Sequence, residues 1–106
     1  MEIGIFSQPD TVDKAVEHAK LFSDAGFGSY WMPQIFGLDT LTALTVVARE
    51  VPKIRLGTAV VPTYPRHPSM LAAQARTVQQ VADGRFTLGI GLSHQMVIEG
   101  MFGMTF

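Results

Sequence analysis

Residues 54–68 read IRLGTAVVPTYPRHP, and this stretch decides the fold class. Its first eight residues predict a strand, whose last three residues are continuously apolar, as is typical of a parallel strand covered on both faces. A rigid loop with three prolines in seven positions follows. Pro68 suits the first position of a helix, where a missing N–H group is harmless. The stretch therefore predicts a strand, a loop and a helix in succession.

The same order of elements recurs on both sides of this stretch. Further strands are predicted at residues 2–6, 29–32 and 86–91, so the four strand starts lie 27, 25 and 32 residues apart. Four βα periods predict a parallel sheet with right-handed crossovers. Two architectures fit this pattern, a doubly wound sheet and part of a (β/α)₈ barrel. A full barrel needs about 250 residues, so this chain would form just under half of one.

Helix boundaries are marked by local signals. Asp10 or Thr11 is expected to cap the first helix and Asp39 the second, because their side-chain oxygens accept from free N–H groups of the first turn. Gly26 and Gly84 are expected to end the first and third helices in the left-handed conformation.

The composition argues against several classes of function. Apolar residues make up 47% and charged residues 16% of the chain, and the formal charge is −1. Without a basic stripe, no nucleic-acid partner is expected. The lack of cysteine excludes thiolate metal sites and fits a reducing cytoplasm. No signal peptide and no membrane span of roughly 18 apolar residues is evident, so we expect a soluble, cytoplasmic protein.

The three histidines have different expected environments. His18 is expected on a solvated helix face, and His67 in a helix-capping turn, although its place after a strand also suits ligand contact. His94 lies just beyond the last predicted strand, where barrels and open sheets both place their chemistry. An ordinary loop histidine is an equal alternative there. The three share no metal-ligand spacing, so no metal site is predicted.

Residues 89–95, GIGLSHQ, approach two known motifs without completing either. A dinucleotide fingerprint needs a third glycine and a first strand, and a nucleophile elbow needs glycine where Gln95 stands. Gln34 follows the second strand and is expected at the same edge of the sheet as His94, with ordinary loop packing as the alternative. These patterns alone predict a ligand site at the strand ends without naming its chemistry.

Three stretches together resemble a known family. They are GFGSYW at 26–31, LGTAVVPTYPRHP at 56–68 and GRFTLGIG at 84–91. With LSHQ at 92–95 and EGM at 99–101, they resemble the luciferase-like flavin and deazaflavin oxidoreductase superfamily, most of all its coenzyme F-420-dependent branch. The resemblance runs through essentially the whole chain in order and spacing.

The resemblance implies an α/β fold that forms the N-terminal half of a TIM (β/α)₈ barrel. About four βα units with parallel strands in sequential order would make one partial domain over residues 1–106. The implied activity is hydride transfer between coenzyme F-420, or FMN as the alternative, and a small-molecule substrate, with the protein supplying position and electrostatics. Family members carry a non-prolyl cis peptide in the third strand, and the matching bond is Ala59–Val60.

The resemblance also implies which residues form the site. The expected cofactor-binding residues are Ala59, Val60, Pro62, Ser93 and His94. The expected catalytic residues are His94 and Gln34, since an imidazole exchanges protons near neutral pH. Sugar-phosphate dehydrogenases of the family have an Asp-His pair where Pro33 and Gln34 stand, and a Glu where His94 stands. Those departures argue against that substrate class.

In this superfamily, much of the binding of the cofactor's phosphate groups comes from loops further along the sequence. A half-barrel would leave its first and fourth strands as open edges and turn an apolar concave face to water. We therefore expect homo-oligomers through these edges, and an N-terminal fragment that is weakly active or inactive alone. The alternative hypothesis is a non-catalytic, self-associating half-barrel module. A doubly wound nucleotide-binding domain is a third hypothesis, which the strand order tests.

Overall fold

Strands and helices alternate along the chain in the predicted order. The computed structural model describes residues 2–106, so Met1 of the predicted domain lies outside the described residues. The strands within them are β1 (Gly4–Phe6), β2 (Ser29–Met32), β3 (Arg55–Thr58), β4 (Val61–Pro62), β5 (Phe86–Thr87) and β6 (Ile90–Gly91). The helices are α1 (Val12–Asp24), α2 (Thr40–Glu50), α3 (Pro68–Val81) and α4 (Gln95–Gly100).

The strands pair in parallel and in chain order. One sheet has the order β1-β2-β3-β5, and a second, two-stranded sheet pairs β4 with β6. After a gap of two residues, β4 continues the path of β3 and β6 continues the path of β5. The two-stranded sheet therefore extends the third and fourth of four parallel strands. This sequential order confirms the predicted barrel segment. Over residues 2–106 it lacks the reversal that a doubly wound sheet requires.

The two longest predicted strands are each interrupted, which corrects the prediction of continuous strands at 54–61 and 86–91. The Thr58 hydroxyl donates a hydrogen bond to the Gly89 carbonyl oxygen and accepts one from the Gly89 N–H group, both at 2.8 Å. A side chain thus replaces a backbone partner in the ladder. Pairing resumes where the Val61 N–H group donates to the same carbonyl oxygen at 2.9 Å.

Helices α1 to α3 begin at the predicted caps, and α1 and α3 end before the predicted glycines, whereas α4 is a helix that the sequence does not predict. Thr11 caps α1 by accepting from the Lys14 N–H group, and Asp39 caps α2. His67 occupies the predicted capping turn of α3, where its Nδ1 atom accepts from the Ser69 N–H group at 3.1 Å. Gly26 and Gly84 follow α1 and α3 with φ values of 93° and 83°. In residues 2–106, no helix combines the length and the apolar character that crossing a bilayer would require.

The core lies between one face of the sheet and helices α1 to α3. Alternate strand residues point into it, which follows from the two-residue period of a strand. Each large apolar side chain buried there stabilises the fold by about 1.5–3 kcal/mol. The fully or almost fully buried members include Ala19, Tyr30, Met32, Leu44, Val47, Leu56 and Val78.

His18 does not lie on a solvated helix face, which corrects the sequence prediction. It is half-buried, and its Nδ1 atom lies 2.8 Å from the Ser7 hydroxyl oxygen. The same hydroxyl lies 2.7 Å from the hydroxyl of the buried Tyr30. Burial raises the pKa of the Tyr30 phenol, and the hydrogen bond to Ser7 opposes that shift. The three side chains tie α1 to the ends of β1 and β2.

The opposite, concave face of the sheet carries Trp31. Its indole N–H group donates to the Ser29 hydroxyl at 2.9 Å. A Cβ atom at Gly57 would lie 2.2 Å from the indole, and one at Gly4 would lie 2.8 Å from its nitrogen. The indole therefore spans the face from β1 to β3, and glycines on both neighbouring strands make room for it.

We expect Gly89→Ala to lower the free energy of unfolding by about 1–3 kcal/mol, as overpacking does in a tight interior. A Cβ atom at residue 89 would lie 2.1 Å from the Thr58 carbonyl oxygen, and backbone cannot give way as a side-chain end can. Gly37→Ala is the matched control, because a Cβ atom there meets nothing within 4 Å. Urea unfolding followed by circular dichroism measures both variants. If both variants lost the same free energy of unfolding, the tight contact at Gly89 would be contradicted.

Candidate functional site

A cleft of about 730 Å³ opens at the carboxyl ends of the strands. Its size falls in the range of roughly 300–1,000 Å³ that is typical of small-molecule sites. It is lined by the loops after β2, β4 and β6 and by the segment between β3 and β4. The residues that the sequence predicts for the site all line it: Gln34, Ala59, Val60, Pro62, Ser93 and His94.

The peptide bond between Ala59 and Val60 is cis, as the family resemblance implies. Its two residues bridge the gap between β3 and β4. The Ala59 N–H group donates to the Met32 carbonyl oxygen at 2.9 Å, and the Val60 carbonyl oxygen accepts from the Gln34 N–H group at 3.1 Å. The segment is thus held from the β2 side, and the Val60 side chain remains 43% exposed.

Ser93 and His94 form the polar end of the cleft. Ser93 has a φ of 62°, in the left-handed region that residues other than glycine seldom adopt. This turn directs the chain away from β6 and into α4. His94 stands at the N-cap of α4, where the described chain gives its imidazole no capping hydrogen bond. Its exposed ring is therefore available to a ligand in the cleft.

Gln34 lies in the cleft wall with its amide engaged in the protein. Its Oε1 atom accepts from the Thr40 N–H group at 2.8 Å and from Arg66 at 3.0 Å. Its Nε2 atom donates to the carbonyl oxygens of Ile35 and Leu38, both at 3.1 Å. Three of these bonds stay within the loop between β2 and α2 and the first residue of α2, and the fourth joins the loop to Arg66. They favour a positioning role, and catalysis by Gln34 stays a prediction.

Arg66 is a site residue that the sequence reasoning missed. It lines the cleft, its side chain is only 15% exposed, and it pairs with Asp39. It also donates to Gln74 of α3 at 3.0 Å. The sequence does carry a signal for this pair. Arg66 follows the third predicted strand and Asp39 follows the second, and the carboxyl ends of adjacent parallel strands meet at one edge of the sheet, so the two charges could be expected to lie close together.

The pKa of Asp39 is lowered from its ordinary value. Burial raises this pKa, but hydrogen bonds from Thr42 and Arg66 and the positive charge of Arg66 together outweigh burial. The carboxylate is therefore ionised at neutral pH. It serves both as the N-cap of α2 and as the counter-charge of Arg66.

The rest of the cleft lining is mainly apolar. The exposed fractions of its large side chains are 54% for Phe6, 45% for Ile35, 64% for Phe36 and 42% for Phe102. Exposed apolar surface gathered in one concavity is typical of a ligand site. Within residues 2–106, no three His, Cys, Asp or Glu side chains come together as metal ligands would.

A second groove of about 410 Å³ runs between α2 and α3, on the outer side of the helices. Leu41 and Val46 of α2 and Ala73 and Val78 of α3 contribute to its walls. It contains none of the predicted site residues.

The family model for luciferase-like monooxygenases matches residues 1–106. A Mycobacterium tuberculosis protein that carries the provisional name coenzyme F-420-dependent oxidoreductase is 35% identical over 92 residues, covering 84% of this chain and 26% of that protein. The 5,10-methylenetetrahydromethanopterin reductase of Methanolobus tindarius is 32% identical over 103 residues, covering 95% of this chain and 32% of the reductase. The chain thus spans about a third or less of the length of these relatives.

Solved structures have the same arrangement of strands and helices. The coenzyme F-420-dependent tetrahydromethanopterin reductase of Methanopyrus kandleri superposes with a TM-score of 0.86 at 27% identity, over 95% of this chain and 30% of that one. The oxygenating constituent of 3,6-diketocamphane monooxygenase of Pseudomonas putida, solved with FMN, gives 0.87 at 19% identity, over 99% and 33%. This second likeness concerns the fold alone.

We expect Asp39→Asn to lower the free energy of unfolding by about 1 kcal/mol at pH 7, because it removes the charge opposite Arg66 but keeps a good N-cap. A lowered pKa stabilises the folded state above the ordinary pKa of an aspartate, and this contribution is lost as the pH falls through the lower folded value. The difference between wild type and variant should therefore shrink from pH 5 to pH 2–3.

Urea unfolding at a series of pH values measures this difference. Asp10→Asn is the control, because Asp10 pairs with Lys14 at an exposed position, and its effect should stay below about 0.5 kcal/mol. A difference for Asp39→Asn that does not depend on pH would contradict the ion pair.

Proposed function

Because the chain belongs to the luciferase-like monooxygenase family, we propose that its cleft holds the tricyclic ring of a redox cofactor in an oxidoreductase. We propose coenzyme F-420 as the cofactor and FMN as the alternative, since relatives of both kinds have this fold. The observation that carries the proposal is the meeting of residues 59–62 and 93–94 in one cleft at the strand ends.

The residues of the cleft suit a flat aromatic ring. Ala59 has a small side chain, so a planar ring can lie close to the backbone there. Exposed Val60 and the aromatic side chains of Phe6 and Phe36 offer apolar surface that the ring would cover. The cleft volume of about 730 Å³ leaves room for a small substrate beside the ring.

The cofactor, when bound, supplies hydride transfer, and the protein's part is position, exclusion of water and proton exchange. Ser93 and His94 would bind the polar rim of the ring or of the substrate through their hydroxyl and imidazole groups. We propose His94 as the residue that exchanges a proton with the substrate, because it lines the cleft and an imidazole can act as a general acid or base. Gln34 would fix the loop that faces this position.

Titration of the purified chain with F-420 and with FMN tests the proposal. We expect binding of at least one of them with a dissociation constant below about 1 mM, which corresponds to roughly −4 kcal/mol. Ala59→Leu should weaken this binding by about tenfold or more, because the longer side chain occupies the ring's space. Ala73→Leu, an exposed change on α3, is the matched control and should leave the binding unaltered.

Calorimetry measures the binding, and circular dichroism checks that both variants keep the helical content of the wild type. Dissociation constants above about 1 mM for both cofactors would exclude the oxidoreductase proposal for this chain.

A second candidate is self-association, with or without catalysis. It is favoured by the large apolar side chains that stay exposed at and near the edge strands: Ile3, Phe6, Ile90 and Leu92 are 54–61% exposed. β1 and β6 are edge strands of their sheets within residues 2–106. An exposed apolar edge is a template for pairing with another chain. We propose a second copy of the chain as the partner.

Sedimentation at increasing protein concentration is expected to show dimers or larger assemblies. Ile90→Lys should raise the dissociation constant of the assembly by about tenfold, because charge on an edge strand opposes pairing. Leu21→Lys is the control, since Leu21 is 63% exposed but lies on α1. Monomers at every concentration, or equal effects of both changes, would contradict association through the strand edges.

A further inference from the structure

We propose that Arg66 is a positioning residue that holds the loop of residues 33–39 in place as one wall of the cleft. The use of this wall for cofactor binding rests on the function proposed above. The position of the loop itself does not rest on that function, so the two ideas can fail separately.

Arg66 contacts three side chains in two separate segments of the chain. One terminal nitrogen donates to Gln74 of α3 at 3.0 Å, and the other donates to Gln34 at 3.0 Å and pairs with Asp39. Gln34 and Asp39 stand near the two ends of the loop between β2 and α2. The guanidinium therefore fastens this loop to Gln74 in the second turn of α3.

The loop depends on side chains for its shape. Thr40 N–H donates to Gln34, and the Thr40 hydroxyl donates to the Pro33 carbonyl oxygen at 2.6 Å. Ile35 and Phe36, at the tip of the loop, are 45% and 64% exposed, so packing holds them only weakly. Leu38 packs against the core at the α2 end of the loop, but residues 35–37 are exposed, so the hydrogen bonds from Arg66 decide how often this wall opens.

This role requires the planar guanidinium group of arginine. Arg66 serves two oxygens of the loop from one terminal nitrogen and one oxygen of α3 from the other, and the rigid group fixes both directions, whereas a lysine carries its three donors on one nitrogen at the end of a flexible chain. Its charge is already matched by Asp39, and the Arg66 side chain itself is only 15% exposed. These two facts favour a positioning role over attraction of an anionic ligand.

Hydrogen exchange of backbone amides tests the proposal on the full chain, with Arg66→Met, Arg66→Lys and the control Arg76→Met, an exposed position on α3. We expect the hydrogen-bonded amides at the two ends of the loop, those of Gln34 and Thr40, to exchange about tenfold faster in both Arg66 variants. Amides of β2 and β3, and all amides of the Arg76 variant, should exchange as in the wild type. Uniform acceleration through the chain would show a general loss of stability and overturn the proposal.

The FMN dissociation constant, measured at two salt concentrations, provides the second readout. We expect it to rise by about fivefold or more in both Arg66 variants, with little change in its salt dependence. Restoration by Arg66→Lys together with strong salt dependence would show that Arg66 acts by charge, and would overturn the proposal. Faster loop exchange with unchanged FMN affinity would overturn the wall's part in binding. If the wild type binds neither FMN nor F-420, the proposed function fails, and the exchange pattern alone decides the role of Arg66.

Discussion

The contact between the Thr58 side chain and the Gly89 backbone is the constraint on which the site depends. Two neighbouring strands lose their regular pairing at the same level, and unpaired polar groups inside a sheet are costly. The threonine hydroxyl satisfies both the N–H and the carbonyl group of Gly89. Pairing then resumes two residues later in β4 and β6. The gap releases Ala59 and Val60 from the ladder, so that their backbone groups are held from β2 and its loop and their side chains line the cleft.

The two faces of the sheet are covered differently. Helices α1, α2 and α3 cover one face and bury it, and hydrogen bonds among Ser7, His18 and Tyr30 add to the contacts on that side. The concave face is covered mainly by one indole, which needs glycine at positions 4 and 57. The buried apolar core therefore lies mostly on the helix side, whereas the concave side opens into the cleft at the strand ends. Because the helices hold the strands on one face, the cleft at the ends of the strands can stay open on the other.

Local rules were sufficient for most of the fold. Thr11, Asp39 and Pro68 mark helix starts by chemistry within one turn, and Gly26 and Gly84 mark helix ends by backbone freedom. The residues predicted for the site line one cleft, because parallel strands bring their carboxyl ends to one edge whatever the details of packing, and their roles stay predictions. The family resemblance added the cis bond at Ala59, which spacing alone does not reveal.

The errors concern contacts between residues that are distant in sequence. The hydroxyl of Thr58 acts on a residue 31 positions away, so a strand pattern read locally appears unbroken. His18 was assigned to solvent because it lies beside the apolar stripe, and its partner Ser7 lies 11 positions before it in a loop. Arg66 was passed over because its partners Gln34 and Asp39 come from a different βα unit. In each case a polar side chain completes the hydrogen bonding of another segment, and hydrophobic periodicity carries no information about such pairs. The elements of this fold thus follow from local sequence, whereas the shape of its cleft follows from a few polar contacts that join neighbouring units.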